Sequence, residues 1–356
     1  MKRTFLFLLL CASLSAWGQK RVLLEKYTSA FCGACPNGHL VAEALAAQYP
    51  ELVLVFHHSE VDAMGLPQST EWKNAFNLPG TPLGIIDRQG PSDSEMALLP
   101  GEWEERLLEQ MQTPAYVQIG LNGHYDGFSR SLSLDVTAIF ETPPPQGELH
   151  LNVMATEDSV IHAGWGYDQS NYYNEVEGHP LYGLGHPIYF YPHRHVIRDI
   201  LDGAWGTTGV FPPVPETGIP YQHHYDYPVS WAWNHQRLKL VVFVSLYDET
   251  SPAKRMVLNT TEIPLFSLAP TPASPPPAKL PTALKSFPNP ASGHLWVECP
   301  SLTQSLALLS LDGKLLYKKA RPEKTEEIDI AGLPPGLYFL QAITDAGILS
   351  QKIAIQ

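Results

Sequence analysis

The chain has 356 residues, enough for two or three domains, and its charged fraction of 17% lies below the usual ~25% while proline, at 33 residues, is well above average. Its net charge is −13, and residues 21–269 alone hold 12 basic against 29 acidic side chains, which argues against nucleic acid and anionic lipid surfaces as partners. The sequence shows no Ser/His/Asp nucleophile context, no phosphate-binding glycine loop and no paired-carboxylate motif, which lowers hydrolase and nucleotide-binding readings.

In chain order, Lys2-Arg3, a short apolar run from Phe5 to Leu14 and the small residues of Ala16-Trp17-Gly18 read as a signal peptide over 1–18. The run is too short to span a bilayer, and no later stretch reads as a transmembrane segment. Cys11 falls in the signal, Cys32 and Cys35 form a close pair, and Cys299 stands alone. An exported chain with one close pair keeps it for its chemistry or as a small local staple.

Val22-Leu23-Leu24 reads as a buried strand, and Leu40, Val41, Ala44, Leu45 and Tyr49 fall on one face of a helix. Cys32 and Cys35 therefore sit where a strand passes into a helix, whose N-terminus favours a thiolate. Leu52–Phe56 is a second buried strand ending in His57-His58. Ser69 is expected to cap a helix over Thr70–Phe76, and Thr81-Pro82 precedes a third strand, Leu83–Asp87. Pro100-Gly101 opens a helix placing Trp103, Leu107, Leu108 and Met111 on one face.

A C-x-x-C beside a β/α pattern is the redox signature of the thioredoxin superfamily. Residues 19–113 resemble a thioredoxin-like α/β domain, and Thr81-Pro82 stands where that family carries a cis-proline beside its cysteines. The resemblance implies Cys32 as nucleophile, Cys35 as resolving thiol, and Pro82, with Thr81, as the wall of a substrate groove. Where many relatives carry an acid beneath the pair, this chain has Lys26 next to Glu25. Only one of the two can face the sulfurs, and a strand buried on both sides hides which. The stretch from Val22 through Cys32-Gly33-Ala34-Cys35-Pro36-Asn37-Gly38-His39, together with His193-Arg194-His195-Val196-Ile197-Arg198, is similar to the outer-membrane-protein-28-related family of secreted proteins.

From Pro114 onward β-rich alternating runs appear, notably Ser131–Thr137, and suggest an immunoglobulin-like β-sandwich over 114–267. An aromatic and histidine-rich insertion is expected at about 158–236, with one short helix at Val196–Leu201. Cys32, Cys35 and His39 could join the His57-His58 edge in a metal site, and the insertion adds His179, His186, His193, His195, His223, His224 and His235. The spacing lacks a second strong ligand pair, so no metal and no cofactor is expected. A proline-rich linker, 268–283, leads to a small β module over 284–356, with Asp312-Gly313 as a hairpin turn. Phe287–Gly293, Leu333–Phe339 and the terminal Lys352–Ile355 resemble the C-terminal sorting domain of type IX secretion substrates. The resemblance implies export through the periplasm to the cell surface or medium, with the secretion machinery as partner.

The sequence thus points to a multidomain exported protein with two functional readings. One is thiol–disulfide exchange on exported or surface proteins, making the chain a possible oxidoreductase whose direction (oxidase, reductase or isomerase) is open. The other is a non-enzymatic surface binding or scaffold protein whose cysteines are a structural staple.

Overall fold

The structure, a computed structural model, describes residues 19–268, 284–300, 303–311, 313–344 and 347–356. The expected signal peptide, residues 269–283 of the expected linker, and Asp312 of the expected turn lie outside these. The chain divides into two compact units, 1–271 and 272–356.

In the first unit the elements run β1 (Val22–Thr28), α1 (Cys35–Gln48), β2 (Leu52–His58), α2 (Pro67–Ala75), β3 (Leu83–Ile86) and α3 (Trp103–Met111). They continue β4 (Val117–Asp126), β5 (Ser131–Phe140), β6 (Glu148–Glu157), β7 (Val196–Ile200), β8 (Pro220–Pro228), β9 (Leu238–Tyr247) and β10 (Val257–Pro264). Seven of these strands form one sheet in the order β10-β9-β6-β7-β2-β1-β3, and β4-β5-β8 form a second. Strands β1 and β2 are parallel, as the helical connection through α1 requires. The segments 19–113 and 114–267 share the seven-stranded sheet, joined where β7 pairs with β2 on one side and β6 on the other.

Strand alternation sorts side chains to the two faces of that sheet. One face carries Leu24, Leu54 and Phe56 against Ala42 and Leu45 of α1 and Trp103 and Leu107 of α3. Farther along the same face, Leu151, Val153, Val242 and Val244 pack on Leu132, Leu134 and Val136 of the three-stranded sheet. The opposite face buries Leu23, Val53, Val55, Val241 and Phe243 against Trp72 and Phe76 from α2 and its C-terminal end. Trp72 and Trp103 are completely buried, and replacing either by alanine would cost about 3–5 kcal/mol.

Several elements differ from the sequence reading. Val196–Ile200 is a strand, not a helix: its β-branched residues fill the slot between β2 and β6, where tertiary pairing overrides the helical spacing. The expected insertion also contains β8, whose Tyr221, Tyr225 and Tyr227 pack inward while Gln222, His224 and Asp226 face out. Helix α2 starts at Pro67 with Leu66 at its N-cap, and Ser69 is buried within it. The buried face of α1 comprises Cys35, Gly38, His39, Ala42 and Leu45, leaving Ala44 exposed, and on α3 Leu108 is exposed while Gln110 is buried.

The second unit consists of β11 (Lys285–Ser292), β12 (His294–Glu298), β13 (Thr303–Ser310), β14 (Leu315–Ala320), β15 (Thr325–Asp329), β16 (Gly336–Thr344) and β17 (Gly347–Ile355). Their order is β14-β13-β16-β17-β11-β12-β15, and β11 bridges the two halves by pairing with β12 and β17. Leu295, Val297, Leu306, Leu308, Ile328, Leu340 and Ile353 form its core, with Cys299 at the edge. Burial pushes the Cys299 thiol up to about 11, leaving it protonated at neutral pH.

Candidate functional site

Strand β1 ends at Thr28 and the chain turns through Ser29–Ala34 into α1. Two backbone bonds shape the turn, Cys32 N–H to Ser29 O (3.1 Å) and Cys35 N–H to Cys32 O (3.1 Å). Cys32 and Cys35 are joined as a disulfide with their Cα atoms 5.3 Å apart. Cys32 lies ahead of the helix rather than at its start, and Cys35 takes the first helical position, with Ala34 as N-cap and Pro36 next. The helix terminus therefore acts most directly on Cys35, which is buried, while Cys32 is partly exposed.

The turn is held from below by Asp62, a residue the sequence reading missed. One of its carboxylate oxygens accepts from the Ser29 hydroxyl (2.9 Å), the other from Ala30 N–H (2.9 Å) and His58 Nδ1 (2.8 Å). From above it is held by the segment between β6 and β7. Gln169 Nε2 donates toward Ser29 O (3.3 Å), Ala30 O (3.2 Å) and Cys32 O (3.0 Å). Ser170 N–H donates to Ala30 O (2.8 Å), and Tyr172 N–H to Gly33 O (2.9 Å). The Tyr172 ring lies so close over Gly33 that a Cβ there would come within 2.2 Å of a ring carbon. Gly33 is thus required by this contact.

The same segment grips α1. His39 Nδ1 pairs with the Tyr191 hydroxyl at 2.6 Å, and Glu43 receives Arg194 (2.6 Å) and His195 (2.7 Å). His179 Nε2 meets Asn37 Oδ1 at 3.1 Å. His193 is buried against Tyr167 O, whereas His223, His224 and His235 lie elsewhere, on β8 and near Tyr125. His186 accepts from Asn171 N–H within the segment. Among the described residues no three His, Cys, Asp or Glu side chains converge as a metal site.

Strand β1 resolves the register that the sequence left open. Lys26 points to the α1 side, with Nζ donating to Cys35 O at 3.3 Å and lying 4.4 Å over the Phe56 ring. Glu25 points to the opposite face, into a two-pronged pair with Arg88 (2.8 and 3.1 Å), with His57 Nε2 at 3.2 Å. Burial lowers the Lys26 ammonium from 10.5 to about 7, opposed by the charge of Glu43. Burial would raise Glu25, but Arg88 and His57 outweigh it and hold the carboxyl down to about 2.

Lys26, Thr28, Cys35, His39, Phe56, His58, Gln169, Tyr191, His193 and Arg194 line a small space of about 10 Å³ beside Cys35. Burial lowers His39 and His58 despite their carboxylate partners, and lowers His193 to about 3, with His58 adding to the effect. Burial thus favours the neutral form of all three rings and brings the Lys26 ammonium to about 7.

The Thr81–Pro82 peptide is cis, Thr81 O lies 3.5 Å from Cys32 Sγ, and Pro82 packs against Gly38. Two openings meet at Thr81. One, of about 360 Å³, is lined by Tyr27, Ser29, Phe31, Cys32, Lys73 and Asn74 among others. The other, of about 590 Å³, is more apolar and lined by Pro79, Pro82, Leu83, Leu99 and Tyr173. The sequence candidates Cys32, Cys35, Thr81, Pro82 and Lys26 are thus brought together, and Glu25 is not.

Fold and site define a mostly β, two-unit protein with a disulfide turn clasped by a long irregular segment and open to solvent at one sulfur. Residues 69–262, more than half of the chain, match the family described as outer membrane protein Omp28, and the chain belongs to that family. The match begins at Ser69, so the cysteine pair lies outside it. Residues 285–356 match the secretion system C-terminal sorting domain. Together these matches place the protein on the export route to the outer membrane and cell surface. Among the described residues no helix is long and apolar enough to cross a membrane. Among solved structures, HBP35 of Porphyromonas gingivalis is similar in fold, with a TM-score of 0.60 at 15% identity over 95% of this chain and 99% of that one. A domain of the outer membrane lipoprotein Omp28 from the same organism aligns over 42% of this chain and 86% of its own, at 12% identity and a TM-score of 0.24, too low to bear on the fold. No curated protein matches the sequence closely enough to count as a relative.

Proposed function

We propose that this protein exchanges thiols and disulfides on exported or surface proteins through Cys32 and Cys35. The observation that carries the reading is the asymmetry of the pair: Cys32 is partly exposed in an open cleft, whereas Cys35 is buried at the helix start above the Lys26 ammonium. On this reading residues 19–113 form a thioredoxin-like unit, supported by the order β2-β1-β3 with β3 antiparallel, and 114–267 an immunoglobulin-like sandwich sharing its sheet. A partner thiolate attacks Cys32 Sγ, the Cys32–Cys35 bond breaks, and Cys35 leaves as a thiolate stabilised by the helix terminus and Lys26. A second partner thiolate then attacks the partner's sulfur in the mixed disulfide, and Cys32 leaves. The partner gains a disulfide and loses two electrons, which reduce Cys32 and Cys35. The reverse sequence reduces or reshuffles a partner's disulfide, with Cys35 as the resolving thiol.

The test is mixed-disulfide trapping in the full chain. Cys35→Ser should accumulate partner-linked protein through Cys32, and Cys32→Ser should not. Equal, negligible trapping by both, with a reduced Cys32 no more reactive than an ordinary cysteine, would refute exchange. The clasp of Gln169, Ser170 and Tyr172 on the turn favours a second reading, a structural staple in a surface binding protein. A reduction potential below about −300 mV would support that staple.

A further inference from the structure

We propose that the segment between β6 and β7 sets the substrate class of this disulfide by surrounding Cys32 with an exposed aromatic rim that selects protein segments bearing a bulky apolar side chain beside their cysteine. The proposal rests on the exchange reading of Cys32 and Cys35. Three rings make the rim. Phe31, next to Cys32 in the chain, is 42% exposed, and Trp165, 76% exposed, lies 5.1 Å from it between ring centroids. Tyr172, 71% exposed, covers Gly33, the residue after Cys32.

These rings are presented by well-anchored backbone. Trp165 sits between Gly164 and Gly166, both at positive φ (109° and 80°), in a turn closed by Tyr167 N–H and Asp168 N–H donating to Gly164 O. Asp168 Oδ1 accepts from Gly164 N–H, and Ala63 N–H donates to Gly166 O at 3.3 Å, tying the turn to the loop after β2. Four residues on, buried Gln169 bonds to the cysteine turn, and Tyr172 is fixed by its own N–H. The fold thus holds large rings in water at Phe31 and over Gly33, the two residues flanking partly exposed Cys32, a placement typical of a recognition surface.

A small thiol would reach Cys32 without covering these rings. An extended polypeptide bound at Cys32 would run past them, because Phe31 and Cys32 line the opening of about 360 Å³, Trp165 packs on Phe31, and that opening and the one of about 590 Å³ share Thr81 and offer room for residues flanking a bound cysteine. The strongly acidic 21–269 segment further favours a partner that is neutral or basic overall.

The test uses the oxidised full chain and two dithiol peptides differing only in whether tryptophan or serine flanks the cysteine. The wild type should oxidise the tryptophan peptide about tenfold faster, the size of one good aromatic contact. Trp165→Ala should erase most of that preference while leaving rates with the serine peptide and with dithiothreitol unchanged, and Trp165→Phe should restore it. Equal rates for both peptides in the wild type would overturn the proposal. So would a Trp165→Ala variant faster with every thiol, which would make the rings a shield. Should the disulfide react with no thiol at all, the exchange reading fails and the rim is judged by binding alone. Cysteine-free versions of the two peptides, followed by fluorescence anisotropy, should then still differ about tenfold in affinity, and equal affinities would remove the rim as a recognition site.

Discussion

Replacing Lys26 by methionine separates charge from packing at the centre of the site. Lys26 Nζ donates to Cys35 O at 3.3 Å, so its charge lies no more than about 8 Å from the Cys35 sulfur, by side-chain reach. At an effective dielectric constant of ~20 a pair at that outer limit is worth about 2 kcal/mol, or about 1.5 pKa units of thiolate stabilisation when the lysine is fully charged. Because the lysine is lowered to about 7 in the disulfide form, it is only partly charged at neutral pH, and about 1 unit is the working figure. Methionine should therefore raise the thiol pKa by about 1–2 units and make the disulfide less oxidising by about 30–60 mV. The measurements are the ultraviolet absorbance of the thiolate against pH and the glutathione redox equilibrium, both on the full chain. Stability carries a second signature. The ammonium titrates near 7 in the folded protein and near 10.5 unfolded, so the unfolded state binds more protons between these values and stability rises with pH across them. Methionine should remove a burial cost of at most about 5 kcal/mol, present in full below pH 7 and gone near pH 10.5. Thiol pKa values unchanged within experimental error would refute a charge contribution, and a pH-independent stability gain would refute the burial argument.

Three further outcomes follow from the same geometry. Gly33→Ala should cost about 1–3 kcal/mol through its clash with Tyr172, and Tyr172→Ala should relieve most of that in a double-mutant cycle of denaturant midpoints. Glu25→Gln should destabilise by about 3–5 kcal/mol, because it leaves Arg88 buried without its charge partner, yet the thiol pKa values should not move, since Glu25 faces away from α1. Deleting residues 284–356 should trap the protein in the periplasm, and cell fractionation that found normal surface levels would refute the sorting role; Cys299→Ala, within that module, should leave any redox activity unchanged.

The parts of this molecule legible in sequence are those set by local pattern. Apolar runs announced β1, β2 and β3, alternation announced β5, and the spaced landmarks near Phe287, Pro334-Pro335 and Lys352 announced the sorting module. What stayed hidden depends on contacts between distant residues. Lys26 and Glu25 could not be ranked because β1 is buried on both faces, so its pattern carries no register. Val196–Ile200 has the spacing of a helix face, and only the vacancy between β2 and β6 makes it a strand. Gln169 and Tyr172 lie about 140 positions from the cysteines in irregular chain, with no periodicity to mark them.

On the exchange reading, that long-range clasp would bear on how readily the disulfide opens. In a bare strand–turn–helix, Cys32 would be governed by the turn and the helix terminus alone. Here the 158–195 segment bonds to the carbonyls of Ser29, Ala30, Cys32 and Gly33, the residues that must adjust as the two sulfurs part. Each such bond contributes about 1 kcal/mol net, and those lost on opening favour the closed disulfide by the same amount. Lys26 acts in the opposite sense, stabilising the Cys35 thiolate that opening creates. The redox poise is thus a balance between a clasp that stabilises the oxidised turn and a buried cation that stabilises the reduced one. Gln169→Ala should shift the potential upward and Lys26→Met downward, and parallel shifts in the two variants would sink this account.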